Sequence, residues 1–324
     1  MKPLWILILL PFFILPGCSS PGTLAGQGQL KAVDYYVSPY PETVRRVKIY
    51  TSFDNSELAY IEHSRTTQRS KAAIVYLHGI ESHAGWFREA ADRLALKGYD
   101  IFCLDRRGSG LNRENRYFVS GDIDSYETLF KDIESFATPL HRKYGHVYLV
   151  GLSWGGKLGF AYVLSYPDTF DGLILITPGI SVDVDLNILD KTRVLIQSGS
   201  AKDLVKIPIK PEMFTKDEKF LELIHKDKLR LRHATTRFFF ESNRLDDYIS
   251  KNAASNKLPV LLFLAGKDEI INNKKVLNVL LDGTEDVLDI HVYGDQTHSI
   301  QFDVPQRMVA DMDFWIKKNI SIGQ

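Results

Sequence analysis

Residues 147–160, VYLVGLSWGGKLGF, restrict this chain more than any other stretch. An apolar run that reads as a buried strand passes through Gly-Leu-Ser-Trp-Gly, and a further glycine opens a helix-like segment. A turn that tight admits no side chain at Gly151 or Gly155, because a Cβ there would meet neighbouring backbone. It lifts the Ser153 hydroxyl to the carboxyl edge of a sheet, where open α/β sheets bind ligands. It also aims the N-terminus of the next helix at any negative charge that develops there. A glycine-x-serine-x-glycine run arises by chance often enough that the rest of the chain must decide between a nucleophile and a small turn residue.

Short runs rich in Val, Ile, Leu and aromatic residues recur at 47–51, 58–62, 73–77, 100–104, 147–150 and 172–176. Helix-like segments separate the later ones, at 86–96, 126–144 and 155–165. This alternation predicts right-handed crossovers and an α/β fold with a mostly parallel central sheet flanked by helices, with antiparallel strands possible at the start. The rhythm breaks over 179–257, where the chain becomes helical, charged and irregular. It resumes with LPVLLFLAGKDE and LDIHVYG and closes on a helix over 304–320. The body is therefore expected over 41–178 and 258–324, with 179–257 forming a lid, or cap, inserted after the sixth strand. At 324 residues and 44% hydrophobic composition the chain can bury one large core. Its 40 basic and 40 acidic side chains cancel, so no long-range field gathers it onto nucleic acid, and no nucleic-acid partner is expected.

The first 18 residues, MKPLWILILLPFFILPGC, place a short apolar run behind a single lysine. The run is too short to span a bilayer, which takes about 20 residues, and suits the apolar region of a signal peptide. Leu15-Pro16-Gly17-Cys18 resembles the lipobox of bacterial lipoproteins, in which the cysteine is lipidated and becomes the mature N-terminus. That resemblance implies an exported protein held in the cell envelope through lipidated Cys18, at the outer membrane if the cell is Gram-negative, since Ser19 and Ser20 follow. Residues 19–40, with scattered Gly and Pro, read as a tether. Cys103, in the apolar run YDIFCLD, reads as a buried thiol, so no internal disulfide is expected.

A serine hydroxyl attacks well only when a base takes its proton and a carboxylate orients that base. On a sheet of this kind the order along the chain is serine, acid, histidine. Of the histidines after Ser153, His298 lies in the loop past the last strand, in YGDQTHSIQF. His291 sits within that strand, and His225 and His233 belong to the insertion. Asp268 follows the strand PVLLFLAG at the same edge, with Glu269 and Asp295 as rivals. After the third strand comes YLHGIESHAGWF, where this topology places a loop whose backbone N–H groups complete an oxyanion hole. The hole is assigned to the N–H groups of Ile80 and Trp154, with His78 and Gly79 as loop support. No metal or cofactor is called for.

Together these residues resemble the α/β-hydrolase fold and, within it, the monoacylglycerol lipase and lysophospholipase group of serine hydrolases. His78, Gly79, His83, Gly85 and Phe87 match the group's His-Gly-x-x-x-His-x-Gly stretch with its following aromatic. Asp105, Gly108 and Gly110 match Asp-x-x-Gly-x-Gly, and the elbow, the Asp268 turn and His298 match as well. Leu152 and Trp154 stand where the animal monoacylglycerol lipases have His and Met, and Glu81-Ser82 replaces their Gly-Glu pair. The resemblance covers about residues 45–320 and implies covalent hydrolysis of a small lipid ester beneath a lid. A prolyl-type aminopeptidase or amide hydrolase shares fold and triad order, and a non-catalytic lipid-binding envelope lipoprotein is the reading of another class. Within the insertion, Phe220, Leu221, Leu223 and Ile224 form a helical stripe, and Phe238, Phe239 and Phe240 an aromatic run; either packs the lid or lines an acyl channel. Between Lys206 and Arg237 nine basic residues face five acidic ones, which reads as a solvated face or one that meets anionic headgroups.

Overall fold

The computed structural model describes residues 37–322 apart from 68, 69, 71, 114–118, 198, 199, 201, 283 and 284. The apolar leader, Cys18 and most of the tether lie outside the described residues. The body runs β1 (Thr43–Thr51), β2 (Glu57–Arg65), β3 (Ala72–Leu77), α1 (Arg88–Leu96), β4 (Asp100–Leu104), α2 (Tyr126–Ala137), β5 (His146–Leu152), α3 (Trp154–Ser165) and β6 (Gly172–Ile176). The inserted segment follows with α4 (Ile188–Ile196), β7 (Leu204–Lys206), α5 (Pro211–Phe214), α6 (Glu218–Lys226), β8 (His233–Thr235) and α7 (Thr236–Asn252). The body then resumes with β9 (Val260–Ala265), α8 (Asn273–Leu281), β10 (Leu288–Tyr293), α9 (Ile300–Asp303) and α10 (Pro305–Ile322).

Eight strands form one sheet in the order β1-β2-β4-β3-β5-β6-β9-β10. The first two pairings, β1 with β2 and β2 with β4, are antiparallel, and the rest are parallel. This is the α/β-hydrolase fold. The central strands β3, β6 and β9 are buried along their whole length, which is why they read as unbroken apolar runs rather than alternating ones. Their side chains still alternate between two cores. Ala73, Val75 and Leu77 of β3 join the core under α2, α3 and the cap, whereas Ala72, Ile74 and Tyr76 join the one under α1 and α10.

Two expectations need correction. The segment read as one helix over 126–144 leaves α-geometry after Ala137 and continues as a 3₁₀ turn with a proline, Pro139, in its first positions. Proline offers no N–H to the ladder, so the bond back to the carbonyl four residues earlier is lost at Pro139. The cap is not purely helical either, since β7 and β8 pair as a small antiparallel ribbon.

Basic residues of the cap that resemble a solvated face in sequence are partly drawn inward. Arg230 Nε donates to Glu81 Oε2 at 2.7 Å, with both side chains almost fully buried. Next to it His83 Nε2 meets Asp227 Oδ2 at 2.8 Å, Trp86 Nε1 donates to the same oxygen at 2.6 Å, and Leu231 N–H donates to Glu81 O at 3.0 Å. The stretch 227–231 of the cap is thereby fastened to the loop after β3.

Burial pushes the Glu81 carboxyl up to about 7, against the pull of Arg230. A carboxyl raised in this way contributes stability below its ordinary value of 4.5 and loses it as pH rises through about 7. Arg230→Met removes the pull and raises the folded value further. Its stability should keep falling above pH 7, by about 1.4 kcal/mol per pH unit, where the wild type has levelled off. Urea unfolding at pH 5 and pH 8 should therefore find the variant penalised more at pH 8; an equal penalty at both would refute this account of the pair.

Candidate active site

Ser153 occupies the turn between β5 and α3 at φ 54° and ψ −123°, a conformation that costs a non-glycine residue free energy and persists only where the surroundings enforce it. The enforcement is visible. Ser153 N–H donates to Ile176 O at 3.0 Å, and Ser153 O accepts from the N–H groups of Gly156, Lys157 and Gly179 at 2.8, 3.1 and 2.7 Å. A Cβ on Gly155 would sit 2.3 Å from Leu77 O and 2.6 Å from His78 O, and one on Gly151 would sit 2.6 Å from Gly155 O. The elbow exists because these glycines let α3 press against the ends of β3 and β5. The Ser153 side chain makes no cap bond to its own helix, and it borders the cavity beneath the cap.

His298 and Asp268 come together from two different loops. His298 Nδ1 lies 2.9 Å from Asp268 Oδ2, and both side chains are fully buried. The other oxygen, Oδ1, accepts from the N–H groups of Ile270 and Ile271 at 2.8 and 3.0 Å, so the carboxylate is held before the imidazole arrives. A carboxylate at Nδ1 keeps the proton there and leaves Nε2 as the acceptor. Nε2 is buried and makes no hydrogen bond, so serine and imidazole are not joined in this arrangement. The rivals lie elsewhere: Glu269 pairs with Lys216 and Asp295 with Lys267, all four side chains at least half exposed. His291 pairs with Asp311 on the outer strand.

Sequence reasoning missed the residues that fix the histidine. Thr177 Oγ1 donates to His298 O at 3.0 Å, Ser299 N–H and Thr297 Oγ1 both donate to Phe214 O, and the Phe214 ring packs 5.8 Å from the imidazole. Thr177 directly follows β6 and Phe214 belongs to the cap, so no local motif marks either. The cap thus covers the histidine and holds its loop.

Arg106 was also missed, and it braces the loop after β3. Its Nη1 donates to Gly79 O at 2.9 Å and its Nη2 to Ile80 O at 2.7 Å. Gly79 O belongs to the same planar peptide as the Ile80 N–H, so gripping the carbonyl sets the direction of the N–H. His78 Nδ1 lies 2.8 Å from that carbonyl, and His78 Nε2 accepts from Arg106 N–H at 3.3 Å. Burial, helped by the Arg106 charge, holds the His78 imidazole well below its ordinary pKa, consistent with a neutral ring in this bracing role. The guanidinium also lies over the rings of Trp154 and Phe238, at 5.1 and 5.4 Å. One cation therefore steadies both expected oxyanion donors. Ile80 N–H makes no hydrogen bond to the described backbone, and Trp154, first residue of α3, has no intrahelical acceptor for its N–H. Asp105, whose carboxyl is pushed up by burial, ties the neighbouring loops through the N–H groups of Ala84 and Leu111.

A cavity of about 440 Å³ opens from Ser153 under the cap. Its lining is mostly apolar, with Val182, Val184, Val194, Leu195, Ile207 and Phe239, and it also carries two charge pairs, Lys157 with Asp246 and Lys191 with Asp185, together with Ser242. Of the two sequence stripes, Phe238 packs in the core and Phe239 lines the cavity, whereas Phe220 stacks on Phe302 at 4.4 Å and does not. Burial pushes the Asp246 carboxyl up, against the pull of Lys157.

If Arg106 sets the oxyanion peptide, Arg106→Met should slow the reaction of Ser153 with a fluorophosphonate at least tenfold in protein that unfolds as cooperatively as the wild type. Arg106→Lys, which can hold one carbonyl, should recover part of that rate. An undiminished rate in Arg106→Met would remove Arg106 from the argument.

The chain matches the family described as serine aminopeptidase, S33, over residues 68–305. It is 28% identical to a Mycolicibacterium smegmatis monoacylglycerol lipase over 111 residues, 34% of this chain and 39% of that one. It is 23% identical to the Saccharomyces cerevisiae monoglyceride lipase over 312 residues, 87% of this chain and 98% of that one. An uncharacterized Escherichia coli protein, YnbC, matches at 19% over 81% of this chain, which spans 46% of that protein's length. In three dimensions the chain is similar to a soluble variant of the yeast monoglyceride lipase in complex with a substrate analog, with a TM-score of 0.76 at 20% identity, covering 88% of this chain and 98% of the other. The chain therefore belongs to the serine aminopeptidase, S33 family and has the α/β-hydrolase fold.

Proposed function

We propose that this protein cleaves carboxylic esters of lipids, of the monoacylglycerol or lysophospholipid type, through an acyl-enzyme on Ser153. One observation carries the reading: a strained serine and a buried His298–Asp268 pair stand at the carboxyl edge of the sheet, where the serine opens onto a cavity lined mostly by apolar side chains. Ser153 Oγ attacks the ester carbonyl as His298 Nε2 takes its proton, and Asp268 stabilises the imidazolium. The Ile80 and Trp154 N–H groups receive the oxyanion, each donor contributing about 2.7 to 4 kcal/mol to the transition state. The C–O bond then breaks, and the alcohol leaves with the proton from His298. Water, deprotonated by the same nitrogen, attacks the acyl-enzyme, releases the fatty acid and restores Ser153.

The cap supports a lipid substrate. Helix α4 exposes Ile188, Leu189, Leu195 and Ile196, each more than 70% accessible, and Leu195 also lines the cavity. An apolar patch of this kind at a cavity mouth suits an acyl chain arriving from a lipid phase. The relatives named as monoglyceride lipases point the same way.

The family description names an aminopeptidase, whose substrate carries an ammonium group that needs a carboxylate partner. The two carboxylates lining the cavity, Asp246 and Asp185, are already paired with Lys157 and Lys191. That favours an uncharged ester over an amino-terminal peptide. The reading that the protein only binds lipid requires Ser153 to be inert toward a fluorophosphonate.

We read residues 1–18 as an export signal and Cys18 as the lipidated end of the mature chain, which would hold the enzyme in the cell envelope. Cys18→Ala should abolish incorporation of labelled palmitate.

Ser153→Ala should lower ester turnover by about 10⁴-fold or more while the unfolding transition is retained. Asp268→Asn should cost about 10⁴-fold, since the imidazole would take the wrong tautomer. Purified protein from residue 19 onward, offered a monoacylglycerol, a lysophospholipid and a prolyl peptide together, should release fatty acid, and Ser153→Ala should not. Cleavage of the peptide alone would overturn the ester reading in favour of the aminopeptidase.

A further inference from the structure

The polar cluster in the cavity lining is built, not incidental. Lys157 lies four residues beyond Ser153 on α3, one helical turn or about 6 Å along the axis, and its own N–H closes that turn on Ser153 O at 3.1 Å. Although 5% exposed, the residue puts its ammonium into the cavity lining, 2.6 Å from Asp246 Oδ1 and 3.3 Å from Ser242 Oγ. Ser242 Oγ also accepts from Trp154 Nε1 at 3.0 Å, so its own proton is left to donate. Asn243, also on α7, lines the cavity beside them. An acyl chain laid against this cluster would strip water from a charge pair and give nothing back. The apolar side chains of the lining carry no such cost.

We propose, resting on the ester reading above, that Lys157, Asp246 and Ser242 form a subsite for the alcohol side of the ester, selecting a neutral alcohol that carries neighbouring hydroxyl groups. The chemistry follows from the donors and acceptors present. The ammonium has three hydrogens and two neighbours, the serine has one proton to give, and the carboxylate has a second oxygen to receive. Adjacent hydroxyls, which both donate and accept, satisfy such an alternating set. An anionic headgroup does not suit it, because the cavity lining carries two lysines against two aspartates and has no surplus positive charge. Glycerol and sugars share the required chemistry. The shape of the rest of the molecule would separate them.

The test compares esters of one acyl chain: the methyl ester, the glycerol monoester, a glucose monoester and the lysophosphatidic acid, on wild type, Lys157→Met and Asp246→Asn. The wild type should favour the glycerol or the glucose ester over the methyl ester by at least tenfold in kcat/KM. Whichever is higher names the source of the hydroxyls. Both variants should bring that ratio down about tenfold, through KM more than kcat. Asp246→Asn keeps the shape of the cluster and guards against a folding defect in Lys157→Met. If polyol and methyl esters lose rate by the same factor, the pair only ties α3 to α7 and the proposal fails. It fails equally if the ratio does not move, or if the wild type prefers the phosphate ester. A wild type that labels with fluorophosphonate but hydrolyses none of the four would overturn the ester reading itself, and this subsite with it.

Discussion

Everything at the site depends on one close approach: Gly155, at the start of α3, lies against the carbonyls of Leu77 and His78 at the end of β3. Two consequences follow from that contact. The N-terminus of α3 comes to rest beside the loop after β3, so Trp154 and Ile80 line one cavity with Ser153. The backbone at Ser153 is driven into a conformation that packing on all sides then maintains. Position is obtained here by excluding atoms rather than by adding interactions. Two missing side chains, at Gly151 and Gly155, bring three backbone segments into contact.

Polar interactions then hold what the glycines bring together. Arg106 grips the carbonyl of the very peptide that presents the Ile80 N–H and lies over the Trp154 ring. Asp268 is fixed by two backbone N–H groups before it meets His298, and Thr177 holds the histidine loop from the end of β6. Such preorganisation matters because donors already in place need not reorganise as charge develops. The strained Ser153 is the candidate nucleophile, and the residues around it carry the cost of holding it.

The cap is attached unevenly. Its stretch 227–231 is fastened to the loop after β3 by the buried Glu81–Arg230 and His83–Asp227 pairs, and its short helix α5 covers His298 through Phe214. Helix α4, by contrast, shows apolar side chains to solvent beside the cavity. The firm attachment coincides with the loop after β3 and the His298 imidazole, the parts of the candidate site whose geometry must be exact. The apolar edge coincides with the cavity wall that would accept a chain of methylenes.

Much of this was legible in the sequence because it rests on local rules. Unbroken apolar runs mark strands buried on both faces, and glycines at 151 and 155 mark a turn that nothing larger can make. Asp268 and His298 were legible as residues at strand ends in the expected order, but only the folded chain separates Asp268 from Glu269, its neighbour, by burying one against the imidazole and leaving the other in water. The departures have physical causes of the same kind: Pro139 ends a helix whose apolar rhythm continues past it, and the basic stretch of the cap could not reveal that Arg230 would find a buried carboxylate 149 residues away. Lys157 looked like an ordinary helix lysine, and Arg106 like one of two arginines in a turn. The sequence by itself determined the sheet and the elbow, since these follow from periodicity and steric exclusion over a few residues, and it marked the candidate reacting groups by their order at strand ends. Tertiary structure alone decided which acid faces the histidine, what steadies the oxyanion loop and which charges line the cavity, because those are contacts between segments far apart in the chain whose partners no local pattern specifies.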